Sequence, residues 1–128
     1  MNAAAATEFR RQRLIRFSDC DPAGIVFYPQ YFVMFNGLVE DWVDALGVGY
    51  RHLIVEQRIG LPTVRLEADF RAVSRMGDRV TLGLAVERLG TRSLTLAPEL
   101  GGGGRVQGAS SAGGSLRITC TRSWPSWA

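Results

Sequence analysis

One long hydrophobic pattern in the chain has the spacing of an amphipathic helix, with apolar residues recurring every three or four positions. It runs from Tyr28 to Leu46, Pro29 stands in the first turn, where proline is tolerated, and Gly47 follows the end. The apolar positions are Tyr31, Phe32, Phe35, Leu38, Val39, Trp42, Val43 and Leu46. The sequence therefore predicts a helix of roughly five turns with a wide buried face and an acidic exposed side.

Most of the remaining patterns have a period of two, which is typical of β-strands. Strands are predicted over residues 8–17, 62–74, 80–87, 92–96 and 115–121. A short connector over residues 50–57 is predicted to be helical. Short turns at Met76–Asp78 and Leu89–Thr91 indicate antiparallel strands with one covered face. Because one very apolar helix needs a sheet around it, the predicted fold class is α+β, with the helix on the concave face of an antiparallel sheet.

The length of 128 residues allows one hydrophobic core, so residues 1–128 are predicted to form a single domain. A hydrophobic content of 46% with 21% charged residues is ordinary for a globular protein and argues against a disordered chain. Residues 98–128 differ from the rest, since glycine clusters at 101–104 and 108–114 precede Trp124–Trp127. This atypical tail is predicted to be mainly a flexible loop that leaves a sheet edge imperfect.

Charge and hydropathy exclude two classes of partner. The net charge of +3 comes from scattered arginines without interleaved aromatic residues, which argues against nucleic acid but suits an anionic small ligand. No apolar run is long enough to cross a bilayer, so no membrane partner is expected. The N-terminal residues lack the basic start and long apolar region of a secretory signal, and a cytoplasmic location is therefore expected.

The inventory of reactive side chains narrows the chemistry further. His52 is the only histidine, which excludes a zinc site with several histidine ligands, and its surroundings are typical of a surface helical turn. The Gly-x-Ser-x-Gly signal of a hydrolase nucleophile is absent. Cys20 and Cys120 have no metal-ligand spacing and are expected to be free thiols.

Two carboxylates and a thiol stand directly ahead of an apolar run, in the segment from Asp19 to Gly24 with the sequence DCDPAG. Asp, Pro and Gly favour a turn, and both carboxylates have a structural interpretation as turn caps. The flanking acids are expected to raise the pKa of Cys20 and weaken it as a nucleophile. Taken alone, these residues leave open whether the segment is only a turn or also a site.

The segment from Asp19 to Pro29, together with the helix after it, resembles the 4-hydroxybenzoyl-CoA thioesterases, which belong to the hotdog-fold acyl-CoA thioesterases. The resemblance covers roughly residues 10–97 and implies a long helix wrapped by an antiparallel sheet. It implies that Asp21 is the catalytic carboxylate, acting as nucleophile or general base. It also implies that the backbone amide of Tyr28 stabilises the oxyanion at the helix start.

Outside that segment the resemblance assigns weaker roles. Asn36 stands where the family has an aspartate on the long helix that receives the phenol of the substrate, so benzoyl, other aryl or short acyl groups stay open. Leu61 replaces a threonine before the proline of the second strand, which makes the substrate pocket less polar. Arg92 and Ser93 are what remains of the basic cluster that binds the coenzyme A phosphates.

The sequence thus predicts an acyl-CoA thioesterase that hydrolyses an aryl or short acyl thioester to the acid and free coenzyme A. No metal or redox cofactor is expected, since coenzyme A is part of the substrate. A homodimer or homotetramer is predicted, with the site shared between chains. The alternatives are a hotdog protein that binds acyl thioesters without hydrolysing them, a dehydratase and an oligomeric interaction protein with a degenerate site. A dehydratase would need a histidine at the helix entrance, which the sequence lacks there.

Overall fold

The computed structural model describes residues 9–101 and 112–121 of the chain. The long helix, α1, spans Tyr28–Ala45. The strands are β1 (Phe9–Leu14), β2 (Thr63–Phe70), β3 (Arg79–Leu89), β4 (Ser93–Gly101) and β5 (Ala112–Thr121). Two short helical segments, Phe17–Asp19 and His52–Glu56, precede and follow α1. The order of strand, long helix and consecutive strands agrees with the α+β prediction.

The strands form one antiparallel sheet in the order β1-β3-β4-β5-β2. The strand predicted over residues 115–121 is confirmed as most of β5, but β5 begins earlier, at Ala112, so the loop predicted there is wrong for residues 112–114, because β5 pairs with β4 on one side and β2 on the other. Three alternate side chains of β5, those of Leu116, Ile118 and Cys120, are buried, and this inward row holds the strand inside the sheet. The remaining tail residues, including Trp124–Trp127, lie outside the described residues.

Helix α1 is the helix that the three- and four-residue spacing of apolar residues predicted. Gly47 ends it with a φ of +86°, a conformation that favours glycine, and donates its N–H to the carbonyl oxygen of Asp44 at 3.0 Å. The side chains that α1 buries are those of Tyr31, Met34, Phe35, Leu38 and Val43. Leu46 was predicted to be buried, but it is 59% exposed because it caps the helix beyond the last packed turn. No helix of the described part is long and apolar enough to cross a membrane.

The core lies between α1 and the sheet. Phe35 of the helix is buried together with Leu84 of β3 and Leu96 of β4, which lie on the inner face of the sheet. Full burial of a side chain of this size stabilises the fold by about 1.5–3 kcal/mol. The central strands confirm the alternation seen in the sequence, since Val80, Leu82 and Leu84 are all buried.

Strand β2 departs from the prediction of one covered face. All eight of its residues are exposed, including Val64 at 60% and Leu66 at 44%. The strand lies at the sheet edge, where only β5 pairs with it. An unpaired edge with apolar side chains is a surface that proteins usually cover or pair.

An ion pair between a buried carboxylate and a partly exposed arginine fixes the entry from β1 to the loop before α1. Asp19 is 3% exposed, and its carboxylate accepts hydrogen bonds from Arg13 at 2.8 Å and from the Arg16 backbone N–H at 2.8 Å. The backbone carbonyl of Asp19 accepts the N–H of Phe27 at 3.0 Å, which ties the same residue to the helix entrance. Asp19 therefore has the structural role expected for it.

Replacing Asp19 by Asn should destabilise the fold by about 2 kcal/mol, because one partner of a charge-assisted pair is lost while the other stays half-buried. The free energy of unfolding is measured by urea denaturation. Glu99→Gln, which removes an exposed carboxylate from β4, serves as the control and should change stability by less than about 0.5 kcal/mol. Equal stability of the Asp19 variant and the parent would contradict this role.

Candidate active site

A closed turn carries Asp21 to the entrance of α1. The Asp21 N–H donates to the carbonyl of Ile25, and the Gly24 N–H donates back to the carbonyl of Asp21, both at 2.9 Å. Cys20 and Val26 pair across the base of this turn. Gly24 has a φ of +78°, in the left-handed region that favours glycine, so the glycine of the DCDPAG segment is required by the backbone.

The Asp21 carboxylate has one oxygen engaged and one available. Its Oδ1 accepts the Ala23 N–H at 2.9 Å, which is the turn-capping bond that the sequence left as an alternative. Within residues 9–101 and 112–121, its Oδ2 makes no hydrogen bond or ion pair. The side chain is partly buried, and its second oxygen is not consumed by the turn.

The start of α1 also offers an unpaired donor. The residue before the helix is Phe27, which has no side chain able to cap the first turn. Among the described residues, the Tyr28 N–H has no backbone partner, and Pro29 has no N–H to offer. The Tyr28 amide therefore stands at the positive end of the helix dipole, where the loop that carries Asp21 ends.

An aromatic row leads away from this helix start. Successive ring centroids lie 5.6 Å apart between Phe27 and Tyr28, 6.5 Å between Tyr28 and Phe32, and 6.1 Å between Phe32 and Phe70. Tyr28 is 60% and Phe70 45% exposed, so the row presents apolar surface. The sequence did not predict that Phe70 belongs to this row, because its contact with α1 depends on the three-dimensional path of the edge strand β2.

A cavity of about 160 Å³ lies between α1 and the β2 end of the sheet. Its lining comes mainly from Phe32, Asn36, Val39, Tyr50, Leu61, Thr63, Leu66, Leu96, Leu116, Ile118 and Cys120. Two residues predicted to bind substrate, Asn36 and Leu61, thus share this cavity. Tyr50 was missed, and only its place shortly after the helix could have suggested it. Its N–H donates to Asp44 Oδ1 at 2.7 Å, which fixes the chain after the helix.

The structure does not bring Arg92 and Ser93 to Asp21 within one chain. The loop that carries Asp21 bonds to residues 74–78, just before β3 begins at Arg79. Arg92 lies beyond the other end of β3, whose 11 residues span about 30 Å. Ser93 pairs with Thr121 at that far end. The predicted catalytic and coenzyme A residues therefore lie toward opposite ends of β3.

Cys20 is a free thiol beside the candidate carboxylate. Partial burial and then the negative charges of Asp19 and Asp21 raise its pKa, in the direction expected from the sequence. Its sulfur lies 3.4 Å from the Arg16 carbonyl, to which it donates a weak hydrogen bond. A thiol that stays protonated is a poor nucleophile.

Comparison with known proteins places this arrangement in a family. The model of the thioesterase-like superfamily matches residues 15–112, and the chain belongs to this family. It is 32% identical over 84 residues to the 1,4-dihydroxy-2-naphthoyl-CoA hydrolase of Synechococcus elongatus, covering 65% of this chain and 62% of that protein. It is 31% identical to the 4-hydroxybenzoyl-CoA thioesterase of Pseudomonas sp. strain CBS-3, covering 64% and 60%. The chain thus spans about three fifths of the length of these relatives.

Solved structures confirm the hotdog fold. The structure of the 4-hydroxybenzoyl-CoA thioesterase from Pseudomonas sp. strain CBS-3 superposes with a TM-score of 0.80 and 25% identity, covering 92% of this chain and 86% of that one. A gentisyl-coenzyme A thioesterase superposes with a TM-score of 0.79 and 21% identity, covering 91% and 89%. The long helix wrapped by an antiparallel sheet is therefore the fold that the resemblance implied.

Proposed function

We propose that the chain is an acyl-CoA thioesterase that hydrolyses an aryl or short acyl thioester to the acid and free coenzyme A. The observation that carries the proposal is that a free Asp21 oxygen and a free Tyr28 N–H both belong to the segment that leads into α1. Hydrolysis of a thioester needs both groups, a base or nucleophile and a donor for the oxyanion.

In this mechanism Asp21 Oδ2 either attacks the thioester carbonyl carbon or removes a proton from the attacking water. The carbonyl oxygen gains negative charge as the new bond forms and accepts the Tyr28 N–H, helped by the helix dipole. Collapse of this intermediate breaks the carbon–sulfur bond. On the general-base route, the proton that Asp21 took from water passes to the sulfur, which releases coenzyme A as the thiol together with the acid. On the nucleophilic route, the thiolate takes a proton from a water molecule, and the resulting hydroxide cleaves the Asp21 anhydride to restore the carboxylate and release the acid. The reaction is complete with these groups and water, so the proposal includes no metal or redox cofactor.

The acyl group is assigned to the cavity that Asn36 and Leu61 line. An engineered apolar cavity of about 150 Å³ binds benzene, so a volume of about 160 Å³ suits one ring or a short chain. The relatives are named as enzymes for 4-hydroxybenzoyl-CoA and 1,4-dihydroxy-2-naphthoyl-CoA, which supports an aryl group. Leu61 keeps this cavity apolar, whereas Asn36 offers it an amide.

A complete site requires a second copy of the chain. The exposed edge strand β2 is the surface on which two copies would join, with their strands antiparallel about a two-fold axis. That pairing places the Thr63 end of one copy beside the Phe70 end of the other. Asp21 of one chain then meets Leu61, Arg92 and Ser93 of its neighbour, where the cation and hydroxyl would hold a coenzyme A phosphate.

A second candidate is a protein that binds acyl thioesters without hydrolysing them. It is favoured by the hydrogen bond between Asp21 Oδ1 and the Ala23 N–H, which gives the carboxylate a structural function independent of catalysis. The two candidates differ in one measurement. Incubation with a panel of acyl-CoAs and a thiol reagent detects released coenzyme A only if the protein hydrolyses them.

Replacing Asp21 by Asn should lower thioester turnover by roughly 10²-fold or more, because the amide can neither attack nor accept a proton. Folding should persist, since the amide oxygen can still accept the Ala23 N–H. Turnover is measured by thiol release, and folding by circular dichroism and thermal melting. Asp41→Asn, an exposed acid of α1, is the control. Turnover equal to that of the parent would remove Asp21 from the mechanism.

Replacing Arg92 by Ala should raise KM several-fold while changing kcat little, because uniform binding to a coenzyme A phosphate is lost. The difference should shrink as salt rises, since screening weakens the same contact in the parent. Arg11→Ala, an exposed cation on the opposite edge strand, is the matched control. A variant with lower kcat and unchanged KM would assign Arg92 a different role.

The protein should be at least a dimer at micromolar concentration, as measured by light scattering. Val64→Lys should shift it toward a monomer and abolish activity together, because lysine on an edge strand opposes pairing. Val55→Lys, at a comparably exposed valine in the short helical segment, should leave assembly and activity unchanged. A folded and active monomer would contradict both the assembly and the shared site.

A further inference from the structure

Two buried polar residues beside the start of α1 have no role in the mechanism proposed above. Tyr31 is 7% exposed and Ser74 is 5% exposed. The Ser74 N–H donates to the Tyr31 hydroxyl oxygen at 3.3 Å. Tyr31 belongs to α1, whereas Ser74 lies in the segment between β2 and β3, so this bond ties the helix to that segment.

The ring of Tyr31 and its hydroxyl have separate functions. The ring stacks on Phe70 of β2, with centroids 5.3 Å apart and an interplanar angle of 27°, and it belongs to the hydrophobic core. Phenylalanine would keep these ring contacts, so packing explains an aromatic side chain here but not its hydroxyl. A buried hydroxyl costs free energy unless it forms hydrogen bonds, and the Ser74 N–H supplies one.

Ser74 in turn holds the segment that leads into α1. Its carbonyl oxygen accepts the Val26 N–H at 2.9 Å. Val26 stands two residues before Tyr28, whose N–H is the proposed oxyanion donor. A closed ring of contacts therefore runs from the Tyr31 hydroxyl through Ser74 to Val26 and returns to Tyr31 along the first turn of α1.

The neighbouring residue, Ile25, connects the same segment to the candidate carboxylate. Its carbonyl oxygen accepts the Asp21 N–H at 2.9 Å, and its backbone pairs with Arg75. The residue before the helix offers no capping side chain, so backbone bonds must fix the approach to the first turn. The relative placement of Asp21 and the Tyr28 N–H therefore depends on how this segment is held.

We propose that Tyr31 is a positioning residue whose hydroxyl holds Ser74, and through it Val26, so that the Tyr28 N–H points to the oxyanion as it forms. Without the hydroxyl, the Ser74 N–H would be buried with no acceptor among the described residues, and the segment would shift to satisfy it. The Tyr28 N–H would then be misaligned although it is still present. This assignment rests on the proposed thioesterase function and adds the residue that preorganises its oxyanion donor.

Tyr31→Phe should lower kcat for benzoyl-CoA by about tenfold and change KM by less than about twofold, because an oxyanion donor acts mainly in the transition state. The loss is smaller than the roughly 10²- to 10³-fold expected when such a donor is removed, since Tyr28 keeps its N–H. The kinetics are measured by thiol release, on samples shown to be folded by circular dichroism.

Thr119→Val is the matched control, because it removes a partly buried hydroxyl of β5 that is hydrogen-bonded to Thr95 Oγ1 at 3.3 Å. Thr119 points to the outer face of the sheet, since Ile118 and Cys120 beside it are buried on the inner face. This variant should lose comparable stability and keep the parent kcat. A Tyr31→Phe variant with the parent kcat, or with KM raised as much as kcat falls, would overturn the assignment.

A spectroscopic measurement separates positioning from a general loss of stability. Asp21→Asn should hold benzoyl-CoA without rapid hydrolysis, and a hydrogen bond from the Tyr28 N–H lowers the stretching frequency of the thioester carbonyl. Adding Tyr31→Phe should raise that frequency, whereas adding Thr119→Val should not. An unchanged frequency in the double variant with Tyr31→Phe would refute the positioning role.

Failure of the proposed function has a different signature, because the parent would then release no thiol from any acyl-CoA. Amide hydrogen exchange in the ligand-free protein still tests the ring of contacts. The Val26 N–H should exchange about tenfold faster in Tyr31→Phe than in the parent, and at the parent rate in Thr119→Val. Equal exchange of Val26 in the parent and in Tyr31→Phe would refute the assignment whether or not the protein is an enzyme.

Discussion

The burial of one apolar helix against one sheet is the constraint on which the rest of this molecule depends. Helix α1 can cover its apolar face only if the strands curve around it, so its two ends emerge at opposite ends of the sheet. The loop before it must then turn sharply within a few residues, which the ion pair of Asp19 and the left-handed Gly24 accomplish. The free amide at the helix start results from this geometry, because an uncapped phenylalanine precedes the first turn.

The same geometry separates the candidate catalytic carboxylate from the residues that are candidates for binding coenzyme A. Asp21 lies in the loop before α1, whereas the turn with Arg92 follows the other end of β3, a strand of about 30 Å. Under the proposed function a coenzyme A thioester would bridge these two kinds of group, which would couple that function to assembly. Strand β2 is the physical link, since its exposed edge can bring opposite ends of two chains together. In a dimer of this kind, a substitution that affects the exposed edge of β2 also affects catalysis.

Sequence patterns predicted the elements that local rules determine. The three- and four-residue spacing located α1, and the glycine of the DCDPAG segment located the turn, because hydrophobic period and backbone sterics act over a few residues. The strand at 115–121 was identified, but its extension through Gly113 and Gly114 was not, since glycine carries no side-chain pattern and only pairing with β4 and β2 orders it. Tyr50 and Phe70 escaped notice for a similar reason, because their partners lie far away in sequence.

A site divided between two chains has a consequence for inheritance. Suppose that one allele encodes a chain defective at Asp21 and the other a chain defective at the Arg92 turn. In a mixed dimer of the proposed kind, one of the two sites combines both defects and the other combines both intact halves. Two individually inactive alleles could then complement each other in one cell. The exposed edge of β2, which makes the isolated chain incomplete, would be the feature that permits this rescue.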